Sequence, residues 1–212
     1  AAHKANVAAV VSVFSTELVE PMAAHPVDAF KTASTDIINR PLINAMIVAD
    51  RPLLLSTGAA SDHEVRRASA WLGDHPHVLM HCVSAYPTPD ESAALGGRIA
   101  LEQISPHALG YSDHTTAVDT GALAVAGGAC VLEKHFTDQR TRRGPDHAAS
   151  LEPDELARYA ELAHRAWRMR GPLVKRVLDV EQDVRKASRQ SLTWAAPLDA
   201  GAVVEREHVT IK

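Results

Sequence analysis

The segments Gly110–Thr115 (GYSDHT) and Val131–Phe136 (VLEKHF) each begin with a short apolar or glycine-led run and carry a histidine near the end. Between them lies a helix pattern of small residues, Asp119–Gly127. This order predicts a strand, a histidine, a helix, a second strand and a second histidine. Because consecutive strands of a parallel barrel end at the same rim, His114 and His135 are predicted to face one pocket. Neutral imidazole is a common metal ligand, so the pair indicates a divalent-metal site. From spacing alone, each histidine could instead be only a hydrogen-bonding pocket residue.

The rest of the chain repeats this alternation of strand and helix. Near-continuous apolar runs are typical of strands covered on both faces, and their alternation with amphipathic segments indicates a parallel α/β sheet. The predicted strands are Val7–Phe14, Ala29–Ala33, Pro52–Leu55, Val78–Val83, Ala108–Tyr111 and Ala129–Leu132. The predicted helices are Asn39–Ala49, Asp62–Leu72, Asp90–Gln103, Asp119–Gly127 and Glu152–Arg170.

Polar residues follow each predicted strand, which favours a (β/α)8 barrel over an open doubly wound sheet, because an open sheet collects its ligands at one switch point. Six strands do not close a barrel with the usual tilt and stagger, so we expect two more strands before Ala1. The predicted domains are a partial barrel at 1–175, a linker at 176–190 and the start of a small β-rich unit at 191–212.

Composition excludes some classes of function. A net charge of −4 argues against a general nucleic-acid binder, which needs a basic stripe. No apolar run is long enough for a membrane helix, and we see no leader peptide. Cys82 and Cys130 lie in apolar runs and are expected to be buried free thiols, which suits a reducing, cytoplasmic setting.

Further residues are candidates for chemistry. Lys31 and Ser34 could hold an anion, although Lys31 could also be an exposed residue at a strand start. Glu133 could orient a ligand or act as an acid or base, or it could be an interior carboxylate in an ion pair. Arg140–Arg143 forms a basic loop that could cover the pocket mouth, although a solvated charge run is the alternative.

Taken together, a set of short strings resembles the N-acetylneuraminate (sialic acid) synthase family, whose pattern legionaminate and pseudaminate synthases share. The strings occur in family order. They are FST (14–16), KTAS (31–34), LSTG (55–58), HCVSAYPTP (81–89), GYSDHT (110–115), EKHFT (133–137) and GPDHAASLEP (144–153).

This resemblance implies a (β/α)8 TIM barrel, here without its first two strands, followed by the start of an antifreeze-like (SAF) domain. It implies condensation of phosphoenolpyruvate with an N-acyl hexosamine such as N-acetylmannosamine, with release of phosphate. It also implies Mn²⁺, with Mg²⁺ or Co²⁺ as alternatives, and a domain-swapped homodimer of the full-length protein. The site residues it implies are His114 and His135 as metal ligands; Glu133 and Asp36 beside them in catalysis; Thr16, Lys31, Ser34, Ser56, Ser84 and Ser112 around phosphoenolpyruvate; and Tyr86 and Asp146 on the sugar side.

The chain also departs from the family pattern. Ser84 stands where some members carry Asn, and Arg143 replaces the usual Pro before Gly144. The catalytic Glu and Lys that the family carries on its first two strands are absent. Two competing hypotheses therefore remain. One is a non-catalytic fragment or interaction module on the same scaffold. The other is a metal-dependent aldolase of the same barrel architecture, which would need a Schiff-base lysine or a different metal set.

Overall fold

The computed structural model describes all 212 residues and contains two compact units, Ala1–Gly171 and Pro172–Lys212. The first unit therefore ends slightly before the boundary at residue 175 that the sequence predicts. It contains the parallel sheet and every candidate site residue. No helix of the chain combines the length and the apolar composition needed to span a bilayer.

The first unit is a curled sheet of six parallel strands in chain order, a half-barrel with β1 and β6 at its edges. The strands are β1 (Val10–Ser12), β2 (Ala29–Thr32), β3 (Leu53–Ser56), β4 (His77–Cys82), β5 (Leu109–Asp113) and β6 (Val131–Lys134). Its helices are α1 (Val19–Ala23), α2 (Arg40–Val48), α3 (Asp62–Leu72), α4 (Gly97–Glu102), α5 (Thr120–Ala126) and α6 (Pro153–Arg170). A helix follows every strand, which confirms the predicted α/β class. Two further strands before β1 stay a prediction.

The main core lies between the outer face of the sheet and its helices. Phe30, Leu55 and Leu79 are fully buried there against helix residues that include Leu42 and Met46. Because neighbouring residues of a strand point to opposite faces, burying these side chains turns the alternate positions towards the concave side of the half-barrel. The polar candidates of β2, β3 and β5 are therefore on the concave side.

Local signals fix several helix boundaries at the predicted places. Ser61 and Glu64 form a reciprocal capping box at the start of α3, with the Glu64 carboxylate 2.8 Å from the Ser61 amide. The Asn39 side chain accepts a hydrogen bond from the Leu42 amide and caps α2. Gly171, at a φ of 61°, follows the last residue of α6 and ends that helix.

Several predicted elements were wrong in extent. The helix predicted over Asp90–Gln103 is only a 3-10 turn at Asp90–Ser92 and the short α4, because the chain passes through a left-handed residue, Ala94 (φ 49°), before two glycines. The strand predicted over Val7–Phe14 pairs only over β1, and the short α1 was missed. Cys82 is buried as predicted, but Cys130 is exposed.

The second unit is small. It contains α7 (Gln182–Ser188) inside the segment predicted as a linker, and an antiparallel pair, β7 (Leu192–Trp194) and β8 (Val209–Ile211). The paired strands fall within the stretch for which the sequence predicts a β-rich unit. Its antifreeze-like identity stays a prediction.

Candidate functional site

The two histidines meet at the carboxyl rim of the half-barrel. Asp113 pairs with Lys134 in the register of β5 and β6, so the next residue of each strand, His114 and His135, leaves the sheet at the same level. Their ring centroids are 5.5 Å apart, and the ring planes are inclined at 63°. The structure thus brings the two imidazoles into one place.

His114 is held in a single tautomer. Its Nδ1 lies 2.7 Å from the carbonyl oxygen of Val83, and because a carbonyl only accepts, Nδ1 carries the proton and donates it. The lone pair is therefore on Nε2, to which the Ser112 hydroxyl donates at 3.2 Å. Burial lowers the pKa of His114, and the neighbouring His135 lowers it further. Neutral imidazole with its lone pair on Nε2 is the form that binds metals, and a metal ion at Nε2 would take the place of the hydrogen bond from Ser112.

His135 is half-buried, and its ring makes no side-chain hydrogen bond, which leaves both ring nitrogens available. Its backbone is fixed, since the His135 carbonyl accepts from the Leu151 amide at 2.9 Å. No cluster of three or more His, Cys, Asp or Glu side chains in the chain could hold a metal ion by itself. The two imidazoles could supply two ligands of a divalent ion, and water or substrate would then have to complete the coordination.

Tyr86 covers the two imidazoles. Its ring centroid is 4.3 Å from that of His114 and 5.8 Å from that of His135. Partial burial raises the pKa of Tyr86. The loop that carries Tyr86 is anchored to the rim by a backbone hydrogen bond, in which the Thr88 amide donates to the His114 carbonyl.

An ion pair crosses the concave side of the half-barrel. Nζ of Lys31 on β2 lies 3.4 Å from Oε1 of Glu133 on β6, and the Lys31 side chain is only 13% exposed. The alternative of an exposed Lys31 was therefore wrong. Glu133, whose side chain is 37% exposed, takes part in an ion pair, and its role as an acid or base stays a prediction. The other carboxylate oxygen, Oε2, is buried and has no hydrogen-bond partner. An unpaired buried oxygen costs about 1–3 kcal/mol, which a ligand or water at this point would remove.

Polar side chains from neighbouring loops converge on Gly58. A methyl group built on Gly58 would lie 2.8 Å from Ser34 Oγ and 2.9 Å from Cys82 Sγ, and closer still to Ser84 Oγ. Ser34 Oγ and Cys82 Sγ are themselves 3.3 Å apart. On β3, the Ser56 hydroxyl is buried without a hydrogen-bond partner. Hydroxyl donors around a bare backbone suit an anion, and we name Ser34, Gly58, Cys82 and Ser84 the Gly58 cradle.

Other sequence candidates are not joined to this group. Asp36 accepts a hydrogen bond from Asn39 at 3.2 Å, beside the start of α2, and has no hydrogen bond or ion pair with another candidate. Thr16 is exposed at the start of a 3-10 turn. In the basic loop, Arg140 binds Glu155 and is half-buried, whereas Arg142 binds Asp138 and is exposed, so the solvated charge run describes Arg142 and not Arg140. A cover over the pocket stays a prediction.

Sequence reasoning missed an ion pair directly behind the histidines. Asp113 is fully buried, and its carboxylate binds Lys134, whose side chain is 3% exposed. Tyr159 of α6 lies over the Lys134 ammonium, 5.7 Å from ring centroid to Nζ. The signal was present as a lysine in an otherwise apolar strand, because a buried charge requires a partner.

A parallel half-barrel that gathers imidazoles, hydroxyls and a Lys–Glu pair at the carboxyl ends of its strands has the architecture of a barrel enzyme, whose active site lies at that rim. More particularly, the chain belongs to the NeuB family, whose model matches residues 1–175. This match confirms the family that the sequence strings predict.

Known proteins of this family include sugar-acid synthases. The chain is 32% identical to the N,N'-diacetyllegionaminic acid synthase of Campylobacter jejuni, over 100% of this chain and 65% of that protein. It is 31% identical to the mouse N-acetylneuraminate-9-phosphate synthase, over 86% of this chain and 52% of that protein. The solved N-acetylneuraminic acid synthetase of Leptospira borgpetersenii superposes with a TM-score of 0.83 at 31% identity, covering 88% of this chain and 67% of that one. The chain thus spans between about half and two thirds of the length of these relatives.

Proposed function

We propose that this chain forms part of a synthase that condenses phosphoenolpyruvate with an N-acyl hexosamine, N-acetylmannosamine or a related sugar, to a nonulosonic acid and phosphate. The observation that carries the proposal is the convergence of His114 and His135 in a chain of the NeuB family. The names of the relatives support the reaction class.

His114 Nε2 and the free ring of His135 are the proposed ligands of a divalent ion, Mn²⁺ in the first place and Mg²⁺ or Co²⁺ as alternatives. Such an ion supplies Lewis-acid polarisation of the sugar aldehyde. The support is chemical: His114 is neutral and oriented by the Val83 carbonyl, and His135 has no competing hydrogen bond.

The proposed anion site uses the Gly58 cradle and the ammonium of Lys31. Fixed hydroxyl and ammonium donors stabilise the charge that develops on phosphate as it leaves. Tyr86, which contacts both imidazoles, and Asp146 are proposed to bind the amino sugar. The full proposed phosphoenolpyruvate set is Thr16, Lys31, Ser34, Ser56, Ser84 and Ser112.

In the proposed reaction, carbon 3 of phosphoenolpyruvate bonds to the aldehyde carbon, whose oxygen takes up a proton. Water then adds to carbon 2 and loses one proton. The hydroxyl group that remains gives its proton to the departing phosphate as the carbon–oxygen bond to phosphate breaks and the new carbonyl forms. The unpaired Oε2 of Glu133 is the proposed acceptor of the proton from water, with Asp36 as the other carboxylate candidate. Holding both substrates in line supplies part of the rate.

The resemblance also supports proposals about the whole protein. These are a cytoplasmic location, an antifreeze-like (SAF) domain beginning at 191–212, and a homodimer that exchanges this domain in the full-length protein. The paired strands β7 and β8 lie in that region.

The test is a phosphate-release assay on the natural full-length protein with phosphoenolpyruvate, Mn²⁺ and either N-acetylmannosamine or its 2,4-diacetamido analogues. We expect phosphate and a nonulosonic acid in equal amounts, and loss of both with a chelator. A folded protein that releases no phosphate with any of these sugars overturns the synthase. If that protein still binds Mn²⁺, the interaction module becomes the favoured hypothesis. If pyruvate and borohydride inactivate the protein, the aldolase becomes the favoured hypothesis.

A further inference from the structure

The residues that precede the two histidines form an ion pair on the outer side of the sheet, facing the helices. Nζ of Lys134 lies 3.2 Å from Oδ2 of Asp113, and their side chains are 3% and 0% exposed. They are register partners on β5 and β6. A fully desolvated ion pair is often no more stabilising than two apolar residues of the same size, so stability alone does not account for it.

Lys134 also holds the residue on the far side of His114. Its ammonium donates to the carbonyl of Thr115. The other Asp113 oxygen, Oδ1, accepts from the Thr115 amide at 2.9 Å and from the Thr115 hydroxyl at 2.8 Å. Both residues that flank His114 are therefore bound to the side chain of the residue before His135. Through the Lys134 side chain, the strand end that precedes His135 is therefore connected to both residues that flank His114.

Two helices close this network against solvent. The Thr115 hydroxyl lies 2.9 Å from that of Thr120 at the start of α5. On α6, Tyr159 is 3% exposed and places its ring over the Lys134 ammonium. Burial raises the pKa of Tyr159, which stays a neutral phenol beside Asp113. Because both side chains are buried, the attraction between Asp113 and Lys134 is only weakly screened.

We propose that Asp113 and Lys134 are positioning residues that set the separation of His114 and His135 and, through it, the affinity of the site for a divalent cation. The inference rests on the proposed metal-binding function. Neither side chain faces the concave side, where substrates would bind. Their effect therefore passes only through the backbone that connects each of them to its histidine.

The test is Mn²⁺ titration calorimetry on the natural full-length protein with D113N, K134M and the double variant D113N/K134M. Loss of groups that orient metal ligands typically weakens binding about 10- to 100-fold, and we expect this for D113N and for the double variant. E102Q is the matched control, because it breaks another partly buried ion pair, Arg98–Glu102, that touches no candidate site residue. We expect it to bind Mn²⁺ like the wild type.

Circular dichroism shows the temperatures at which each variant is folded, and Mn²⁺ affinities are compared only at those temperatures. If D113N does not fold, the double variant, which buries no unpaired charge, decides the question. A second readout is activity: a positioning role predicts that kcat recovers at raised Mn²⁺, which a general loss of structure does not. Wild-type Mn²⁺ affinity in the folded double variant overturns this inference alone. Absence of Mn²⁺ binding in the wild type overturns the metal site and this inference together.

Discussion

Replacement of Gly58 by alanine tests the anion cradle most directly. The added methyl group would lie 2.8 Å from Ser34 Oγ and 2.9 Å from Cys82 Sγ, and closer still to Ser84 Oγ, distances that real Cβ atoms do not adopt. The backbone of Gly58 is not in the left-handed region, so alanine meets no conformational strain there. The overlap is relieved when the short serine side chains rotate away.

Because the serine side chains can rotate away, we expect Gly58→Ala to affect anion binding more than the free energy of unfolding. Gly→Ala at a permitted backbone geometry stabilises a protein by about 0.4–1 kcal/mol through the unfolded chain, while crowding of a packed site costs about 1–3 kcal/mol. The free energy of unfolding should therefore fall by no more than about 2.6 kcal/mol. Each hydroxyl turned away from a charged ligand loses about 1.5–3 kcal/mol of binding. Loss of one such bond weakens phosphoenolpyruvate binding about tenfold to hundredfold.

The assays are denaturant unfolding and phosphoenolpyruvate affinity by calorimetry, with Gly96→Ala as the control. Gly96 has helical backbone angles and nothing within 4 Å of the position of an added methyl group, so its variant should resemble the wild type in both measurements. A Gly58→Ala protein that is folded and binds phosphoenolpyruvate with wild-type affinity refutes the assignment of the cradle to this anion.

Three further predictions concern other positions. His135→Ala should abolish Mn²⁺ binding in calorimetry while leaving the fold intact by circular dichroism; an unchanged affinity would contradict its role as a ligand. Burial lowers the pKa of His77 below its ordinary value of 6.5, so its contribution to stability is complete above that pH and decreases as the pH falls below it. His77→Gln should therefore show a flatter dependence of unfolding free energy on pH between about 7 and 5, and an unchanged slope would be evidence against this. Gly121→Ala would press a methyl group against the buried ring of Tyr159, 2.7 Å from Cε1, and should lower the free energy of unfolding by about 1–3 kcal/mol, whereas Gly96→Ala should not.

The parallel α/β order could be predicted from the sequence because the signals are local. The apolar runs of β2 and β4 and the capping box at Ser61 are each complete within a few residues, and those elements lie close to their predicted bounds. The helix predicted over 90–103 was wrong because an amphipathic pattern carries no information about backbone conformation. Ala94 takes a left-handed conformation that no hydropathy pattern reveals.

For the site, the sequence predicted which residues end strands, and parallel topology then placed His114 and His135 together. It did not resolve contacts that depend on distance across the sheet. The partner of Lys31 is Glu133, far along the chain, and nothing near Lys31 indicates it. The Val83 carbonyl, which fixes the His114 tautomer, could not be found either, because every residue has such a group.

Successive side chains of a strand point to opposite faces of the sheet. This alternation explains why the proposed ligand-binding residues and the residues that position them are neighbours in the sequence. At the end of β6, Glu133 lies on the concave side and Lys134 on the helix side, and in β5 Ser112 and Asp113 divide in the same way. The inner members, Ser112 and Glu133, face the concave side, where the proposed ligands would bind. The outer members can be buried completely and can lock the two strand ends together. A change on the outer face of the sheet therefore alters the distance between the imidazoles without contact with any ligand, and a search of the pocket lining alone would miss residues that control the site.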